Sequence, residues 1–550
     1  MKDYKKAIYE GAKAALPSLE PTDIQAADAF CDYCIPCFKF AKVLRKSPAA
    51  IASEAAAAVV IDGIGVTALN GYLNFTVERE GLVRDLFDGG IGAYKPLDGK
   101  TVCIDYSSVN IAKPFHIGHL MTTVIGGSLY KIYKALGANA VGINHLGDFG
   151  TQFGGLISAY RRWGDEKRLD ERGLDELLEL YVKYHSEAEK DAELAAEARE
   201  WSQKIEGGDE YSVGLFKKFK AITLEQAKKV YARLNIEFDS YLGESFYVDK
   251  VGGVEQKLID KDLLKTSDGA KIVELGDDMP PALIRRSDGA SLYIARDLAA
   301  AYYRKQTYDF DKCLYVVASH QALHFKQLFK VLGLLGERWA EDMVHVSYGM
   351  VSVDGMALAT RRGNVLYLND VLSAAVEKAA AIIDERNPEL ADKARVSESV
   401  GVGAVVFDAL YDGRLKDKNF SLADALNFDG ETGPYVQYTH ARCRSVLAKA
   451  GYSGAQSIDA ALLVDDEAYE VAKLLWDFDD VVYNAALKYE PSFVSRRLVK
   501  ICQAFNRFYN ADRIMCGGDM QTARLALTER VADTLAYGLS LILLDAPERM

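Results

Sequence analysis

The stretch from residue 102 to residue 155 limits the fold of this 550-residue chain more than any other. Val102-Cys103-Ile104-Asp105-Tyr106 alternates as a short strand. Apolar residues then recur at helical spacing from Gly118 to Leu136, and Gly137 ends the run. Strand, tight turn and helix in that order open a parallel βαβ unit. The helix of such a unit turns its unpaired N–H groups and positive dipole end toward any phosphate bound there. His116 and His119 fall at this helix start, where an imidazole can donate to an α-phosphate oxygen as charge develops. Gly118 lets a nucleotide approach the backbone closely. A lone H-x-x-H pair also occurs as an ordinary helix start, so the surrounding residues decide between the two readings.

The length calls for three or four domains. With 49% hydrophobic and 26% charged residues, the composition is that of a globular protein. A net charge of −13 argues against a general nucleic-acid coat protein, and no DNA partner is expected. It leaves room for a nucleic acid held on one basic face. No opening segment has the layout of a signal peptide, and no apolar run reaches the roughly 18 residues of a membrane span, so a cytoplasmic protein without membrane attachment is expected. The eight cysteines are expected to be reduced. Cys31, Cys34 and Cys37 form a C-x-x-C-x-x-C run that lacks a nearby fourth ligand. The run grades into PCFKFAKVLRKSP, which reads as an amphipathic helix with the thiols as small core residues, and no metal is expected.

Along the chain, residues 1–97 form a small α+β unit with an Ala-rich helix at Ala49–Ala58 and a strand at Gly71–Phe75. A parallel-sheet core spans 98–345, interrupted at about 156–235 by a charged helical insertion. Strand-like segments resume at Lys271–Leu275, Leu292–Ile294, Leu314–Ala318 and Val344–Val353, and are expected to complete the sheet. Residues 346–395 connect to a stretch, 396–550, that reads as almost entirely helical. No repeat or low-complexity tract appears.

The block SSVNIAKPFHIGHLMTTVIG at Ser107–Gly126 resembles the HIGH signature of class I aminoacyl-tRNA synthetases. Its flanks, with NHLGDFGTQFGG at Asn144–Gly155, resemble the arginyl-tRNA synthetase branch. The resemblance covers nearly the whole chain. It implies an α/β multidomain fold: a Rossmann-type catalytic core with the HIGH motif, a small α+β N-terminal domain that touches tRNA, and an all-α anticodon-binding bundle. It also implies a monomer that forms arginyl-adenylate from ATP and L-arginine, with Mg²⁺ accompanying ATP, and transfers the arginyl group to tRNA(Arg).

Activation needs no enzyme nucleophile, because the arginine carboxylate attacks the α-phosphorus in line. Catalysis is then positioning plus neutralisation of phosphate charge. The resemblance assigns the catalytic roles to Lys113, His116, His119 and Arg362. The segment Met356–Asn364 resembles the KMSKS loop, with Thr360 and Arg361 at ATP, but Ala357 stands where its first lysine is expected and Arg362 where the second is. Lys113 would supply the missing charge. Met121-Thr122-Thr123 replaces the more usual Arg-Ser-Thr. His116, Gly118, His119, His324 and Gln327 would contact ATP. Asp105, Ser108, Asn110, Glu244, Tyr293, Asp297 and Gln321 would form the arginine pocket, where a carboxylate fork matches a guanidinium in a way that it does not match an ammonium. Asn74, Tyr435, Tyr438, Arg442, Tyr509 and Met550 would meet tRNA, with aromatic rings stacking on splayed bases. Two other readings are a synthetase-like binder that does not ligate and a HIGH-type nucleotidyltransferase acting on a small cofactor. The second has no need of a long helical C-terminal region.

Overall fold

The computed structural model describes residues 4–27, 31–111, 115–287, 289, 291–353, 356–357, 367–454 and 457–550. These divide into two compact units. The smaller comprises Met1–Ala93, Arg442–Asp479 and Lys500–Thr534. Its antiparallel sheet contains β1 (Gln25–Ala26), β2 (Tyr33–Pro36), β3 (Ile64–Leu69) and β4 (Tyr72–Val77) in the order β1-β2-β4-β3. Strand β4 alternates so that Leu73, Phe75 and Val77 are buried. The helix Pro48–Ala58 covers this sheet; the Ser47 hydroxyl accepts the Ala50 N–H at its start, and Pro48 sits where no donor is needed. The helix Arg79–Asp88 packs on the helix Asp466–Trp476.

The C-x-x-C-x-x-C run is not the expected helix. Tyr33–Pro36 is a strand and Cys37–Phe40 a single 3₁₀ turn, so Cys34 lies on the opposite face of the strand from the buried Tyr33 and Ile35. Pro36, in the middle of the run, has no N–H to give a helix. Cys31 and Cys37 are buried, and burial pushes all three thiols up.

The larger unit comprises Tyr94–Ala441, Asp480–Val499 and Leu535–Met550. Its core is a parallel sheet of β5 (Thr101–Asp105), β6 (Asn139–Ile143), β10 (Lys312–Ala318) and β11 (Met343–Tyr348), in the order β11-β10-β5-β6. This is the Rossmann-type core the sequence implied. The helix Leu120–Ala135 is buried almost all round, so its polar side chains are satisfied within the protein. Thr122 donates to the Val316 carbonyl at 2.6 Å, and Ser128 to that of Leu541 at 2.9 Å.

Two of the expected sheet segments lie elsewhere. Residues around Lys271 belong to a separate antiparallel sheet of β7 (Leu264–Ser267), β8 (Ala270–Val273) and β9 (Ala282–Arg285). Leu292–Ile294 is a helix start: Leu292 is the extended cap residue and Tyr293 the first residue of the helix Tyr293–Tyr308. The C-terminal half of Val344–Val353 leaves the parallel sheet. There β12 (Val351–Val353) pairs with β13 (Met356–Ala357) and with β14 (Lys418–Phe420), a strand in a region read as helical.

The helical insertion contains Thr151–Trp163, Glu166–Arg172, Leu174–Ala188, Ala192–Glu206 and Glu210–Arg233. Glu176 is buried within it, and Arg168 and Arg172 neutralise it at 2.8 and 3.0 Å. Toward the C-terminus, Gln437 donates to the Asp545 carbonyl and Asn387 to that of Met550, which ties down the chain end.

Candidate active site

The chain runs from β5 to β6 on one side, then returns to β10 on the other side of β5. Ligands of open α/β sheets bind in the crevice such a reversal leaves at the carboxyl ends of the strands. Asp105 ends β5, Gln321 follows β10, and His145 and Asp148 follow β6.

After Asp105 the backbone passes through two consecutive left-handed residues, Ser107 (φ 71°) and Ser108 (φ 48°). Such strain persists only where the surroundings enforce it. Here Ser107 N–H donates to Thr122 Oγ1 at 3.0 Å, and Ser107 Oγ meets both Tyr231 OH and Thr123 Oγ1 at 2.9 Å. Asn144 Nδ2 donates to the same tyrosine oxygen. Ser108 Oγ donates to Asp105 Oδ1 at 3.1 Å. Met121, next to these threonines, is buried.

The two signature histidines lie together at the helix start, ring centroids 3.9 Å apart. His116 Nδ1 accepts the Gly118 N–H at 3.1 Å, and His119 Nδ1 accepts the His116 N–H at 3.3 Å. With both Nδ1 atoms accepting, the neutral rings carry their protons on Nε2. A side chain at Gly118 would press into the His116 ring at 2.8 Å, so glycine is what admits this arrangement. Tyr367 forms a bridge with His116, and Leu368 N–H donates to the Phe115 carbonyl at 2.9 Å. The residues just after the KMSKS-like segment are thus tied to the start of HIGH. Lys113, Thr360, Arg361 and Arg362 lie outside the described residues.

The expected arginine-binding carboxylates each have an internal partner. Arg304 reaches Asp105 Oδ2 at 2.7 Å, so Asp105 serves as a strut for the serine turn. Glu244 is paired with Arg296 at 3.0 Å, and burial pushes it up to about 7. Asp297 faces His324 Nε2 at 2.6 Å and His145 Nε2 at 3.7 Å. Burial pushes Asp297 up, but its bond to His324 and the charges of His324, His145 and Arg304 hold it below its ordinary value. His324 is correspondingly raised in spite of burial.

Tyr293 is 63% exposed, and Gln321 and Asn110 are also exposed. Asn110 Oδ1 lies so close over Gly147 that a Cβ there would be 2.3 Å away. Two residues expected at adenosine are engaged otherwise: His324 with Asp297, and Gln327 with the Pro280 and Pro281 carbonyls. Sequence reading missed His145, Tyr231, Arg296 and Arg304. The signal available for Arg296 was its position beside Asp297 in a segment already singled out.

Of the expected tRNA-facing residues, Tyr435 is half-buried and Tyr438 46% exposed in the larger unit, where Met550 also lies. In the smaller unit the Arg442 guanidinium stacks 4.0 Å over Tyr509 and donates to Asn506 at 3.1 Å. Asn74, on β4, is half-buried with its Oδ1 3.5 Å from Cys31 Sγ.

Three family models match. Residues 85–422 match the catalytic domain of class I tRNA synthetases (R), 436–550 the DALR anticodon binding domain, and 2–77 the arginyl tRNA synthetase N-terminal domain. The chain is 45% identical to the arginine–tRNA ligase of Alkaliphilus metalliredigens and 46% identical to that of Clostridioides difficile, with both chains covered in full in each case. It superposes on Thermus thermophilus arginyl-tRNA synthetase with a TM-score of 0.86 at 26% identity, covering 99% of this chain and 100% of the other. By sequence, by domain content and by fold, the chain belongs to the arginyl-tRNA synthetases of class I.

Proposed function

We propose that this protein ligates L-arginine to tRNA(Arg) through an arginyl-adenylate, using ATP. The observation that carries this reading is the histidine pair at the helix N-terminus. Each Nδ1 accepts a backbone N–H, which in a neutral ring leaves Nε2 as the donor. Two such donors and a helix dipole are what a pentavalent α-phosphate needs as negative charge spreads over its oxygens. The strained serine turn and Asn110 would place the substrate carboxylate, while Asp297 and Glu244 would receive its guanidinium. Asp105 then acts on the substrate only through Ser108.

Magnesium would travel with the triphosphate, whose oxygens and water supply most of its ligands. Among the described residues, the three carboxylates close enough to share an ion are Asp465, Glu467 and Asp512, in the smaller unit. Lys113 would neutralise charge in place of the lysine absent at Ala357. Residues 1–97 and 396–550 would bind tRNA, with Tyr435 and Tyr438 stacking on anticodon bases; Arg442 and Tyr509 are likewise proposed to meet tRNA. The working form would be a cytoplasmic monomer; among the described residues no helix is long and apolar enough to cross a membrane.

Arginine-dependent exchange of pyrophosphate into ATP, measured with and without tRNA, tests the activity. Exchange that requires tRNA(Arg) supports the reading. Arginine and tRNA binding without exchange would instead favour the non-ligating alternative, to which Ala357 and Met121 lend some weight.

A further inference from the structure

Glu244 is held from three directions before any ligand arrives. Its short helix, Glu244–Tyr247, begins against Asp148, whose carboxylate accepts the Ser245 N–H and hydroxyl, each at 2.8 Å, and the Lys220 ammonium at 2.5 Å. A side chain at Gly243 would strike that carboxylate at 2.4 Å, so glycine is what lets the helix start lie this close to it. The Glu244 N–H donates to the Leu146 carbonyl at 3.0 Å. The third direction is Arg296, whose Nε and Nη2 both approach the same oxygen, Oε2, at 3.0 Å.

The arginine is itself fixed. Its side chain is 5% exposed, with its guanidinium carbon 4.7 Å from the Phe149 ring centroid and 5.0 Å from that of Tyr293. Its Nη1 donates to the Ser291 carbonyl at 3.1 Å. Among the described residues, every hydrogen bond accepted by the Glu244 carboxylate comes from Arg296 and ends on Oε2. One oxygen is therefore spent on orientation and Oε1 remains to accept.

We propose that Arg296 is a positioning residue for substrate recognition: it holds Glu244 as a one-oxygen acceptor for the incoming guanidinium, with Asp297 next to it in sequence supplying the other acceptor. The proposal rests on the reading that this crevice binds arginine. A guanidinium suits the task because two N–H groups on one edge fix the carboxylate's angle while the flat faces stack on rings, which an ammonium cannot do.

The same pairing favours the charged form of Glu244 against burial. Glu244 is faced by Arg296 and Asp297 from the helix Tyr293–Tyr308 and by Asp148, itself neutralised by Lys220 from the helix Glu210–Arg233. Of these, Arg296 is the group that opposes burial, while Asp297 and Asp148 add to it. Removing Arg296 leaves burial, Asp297 and Asp148 acting to protonate Glu244.

The test is the KM for arginine as a function of pH in full-length protein with saturating ATP and tRNA(Arg). In the unaltered protein KM should fall as pH rises through about 7. Arg296→Gln should raise KM at neutral pH by about tenfold or more and move the fall in KM alkaline by at least about one pH unit, with kcat at saturating arginine changed much less. Arg296→Lys, which keeps the charge, should raise KM through the lost fork yet leave the pH midpoint near that of the unaltered protein. This variant keeps the proposal testable if Arg296→Gln does not fold. Glu244→Gln should abolish this pH dependence. An unchanged or lower KM in either Arg296 variant overturns the proposal, since Arg296 would then be a bystander or a competitor for Glu244. If the unaltered protein shows no arginine-dependent activity, it is the functional reading that fails.

Discussion

His119 is expected to matter when charge builds on the α-phosphate. His119→Ala should cost adenylate formation on the order of 3 kcal/mol, about a hundredfold in rate, with little change in arginine affinity. Single-turnover activation beside equilibrium arginine binding checks this, and equal losses in both would remove the assigned role. Asp297 makes a second prediction through its histidine partner. The raised His324 contributes stability that is complete below its ordinary value of 6.5 and is lost as pH climbs through its folded value. The lowered Asp297 contributes stability that is present above its ordinary value of 3.8 and is lost as pH falls through its folded value. The pair therefore supports the fold most strongly between 3.8 and 6.5 and less in alkali. In Asp297→Asn, burial acts on His324 without its counter-charge, so NMR titration should place that imidazole below 6.5. The melting-temperature deficit of this variant should also shrink as pH rises above 6.5. The same variant should raise the KM for arginine, since an amide offers one acceptor and an unwanted donor. An imidazole that titrates as in the unaltered protein would contradict the pairing.

At the level of elements, the strained turn after β5 depends on the helix Glu210–Arg233 of the insertion, because its Tyr231 hydroxyl bridges Ser107 Oγ and Asn144 Nδ2. Tyr231→Phe leaves those buried groups without that partner. It should lower stability by roughly 1–3 kcal/mol, with kcat reduced more than arginine affinity; denaturant melts and steady-state kinetics together read both. The turn also shows what sequence could reveal. Val102–Tyr106 and Gly118–Leu136 were legible because periods of 2 and 3.6 differ visibly over such lengths. Leu292–Ile294 was not, since three apolar and aromatic residues favour a strand locally and only tertiary packing makes them a helix start. Cys31, Cys34 and Cys37 misled by a spacing of three that mimics a helix face, although Pro36 marked the break. The Arg296–Glu244 and Arg304–Asp105 pairs join residues 52 and 199 apart in sequence, and no local pattern encodes such a meeting. For Asp105 this changed the reading from a ligand contact to a strut.

For the whole molecule, tRNA bound at the residues proposed to meet it should influence the chemistry at the strand ends. Tyr435→Ala should weaken tRNA(Arg) binding by roughly 1–3 kcal/mol, the range for losing one aromatic platform. Exchange should fall at limiting tRNA and recover at saturating tRNA. A lowered melting temperature with a loss that excess tRNA does not repair would make Tyr435 a packing residue instead. The central claim, that the crevice at β5 and β10 serves arginine and this chain charges tRNA with it, is tested most directly by aminoacylation of tRNA(Arg) with arginine, lysine, citrulline and ornithine in parallel. The predicted result is charging by arginine alone, abolished by His119→Ala and depressed by Asp297→Asn. Charging with another of these amino acids at a comparable rate, or no charging by folded protein that binds both tRNA and arginine, would contradict it.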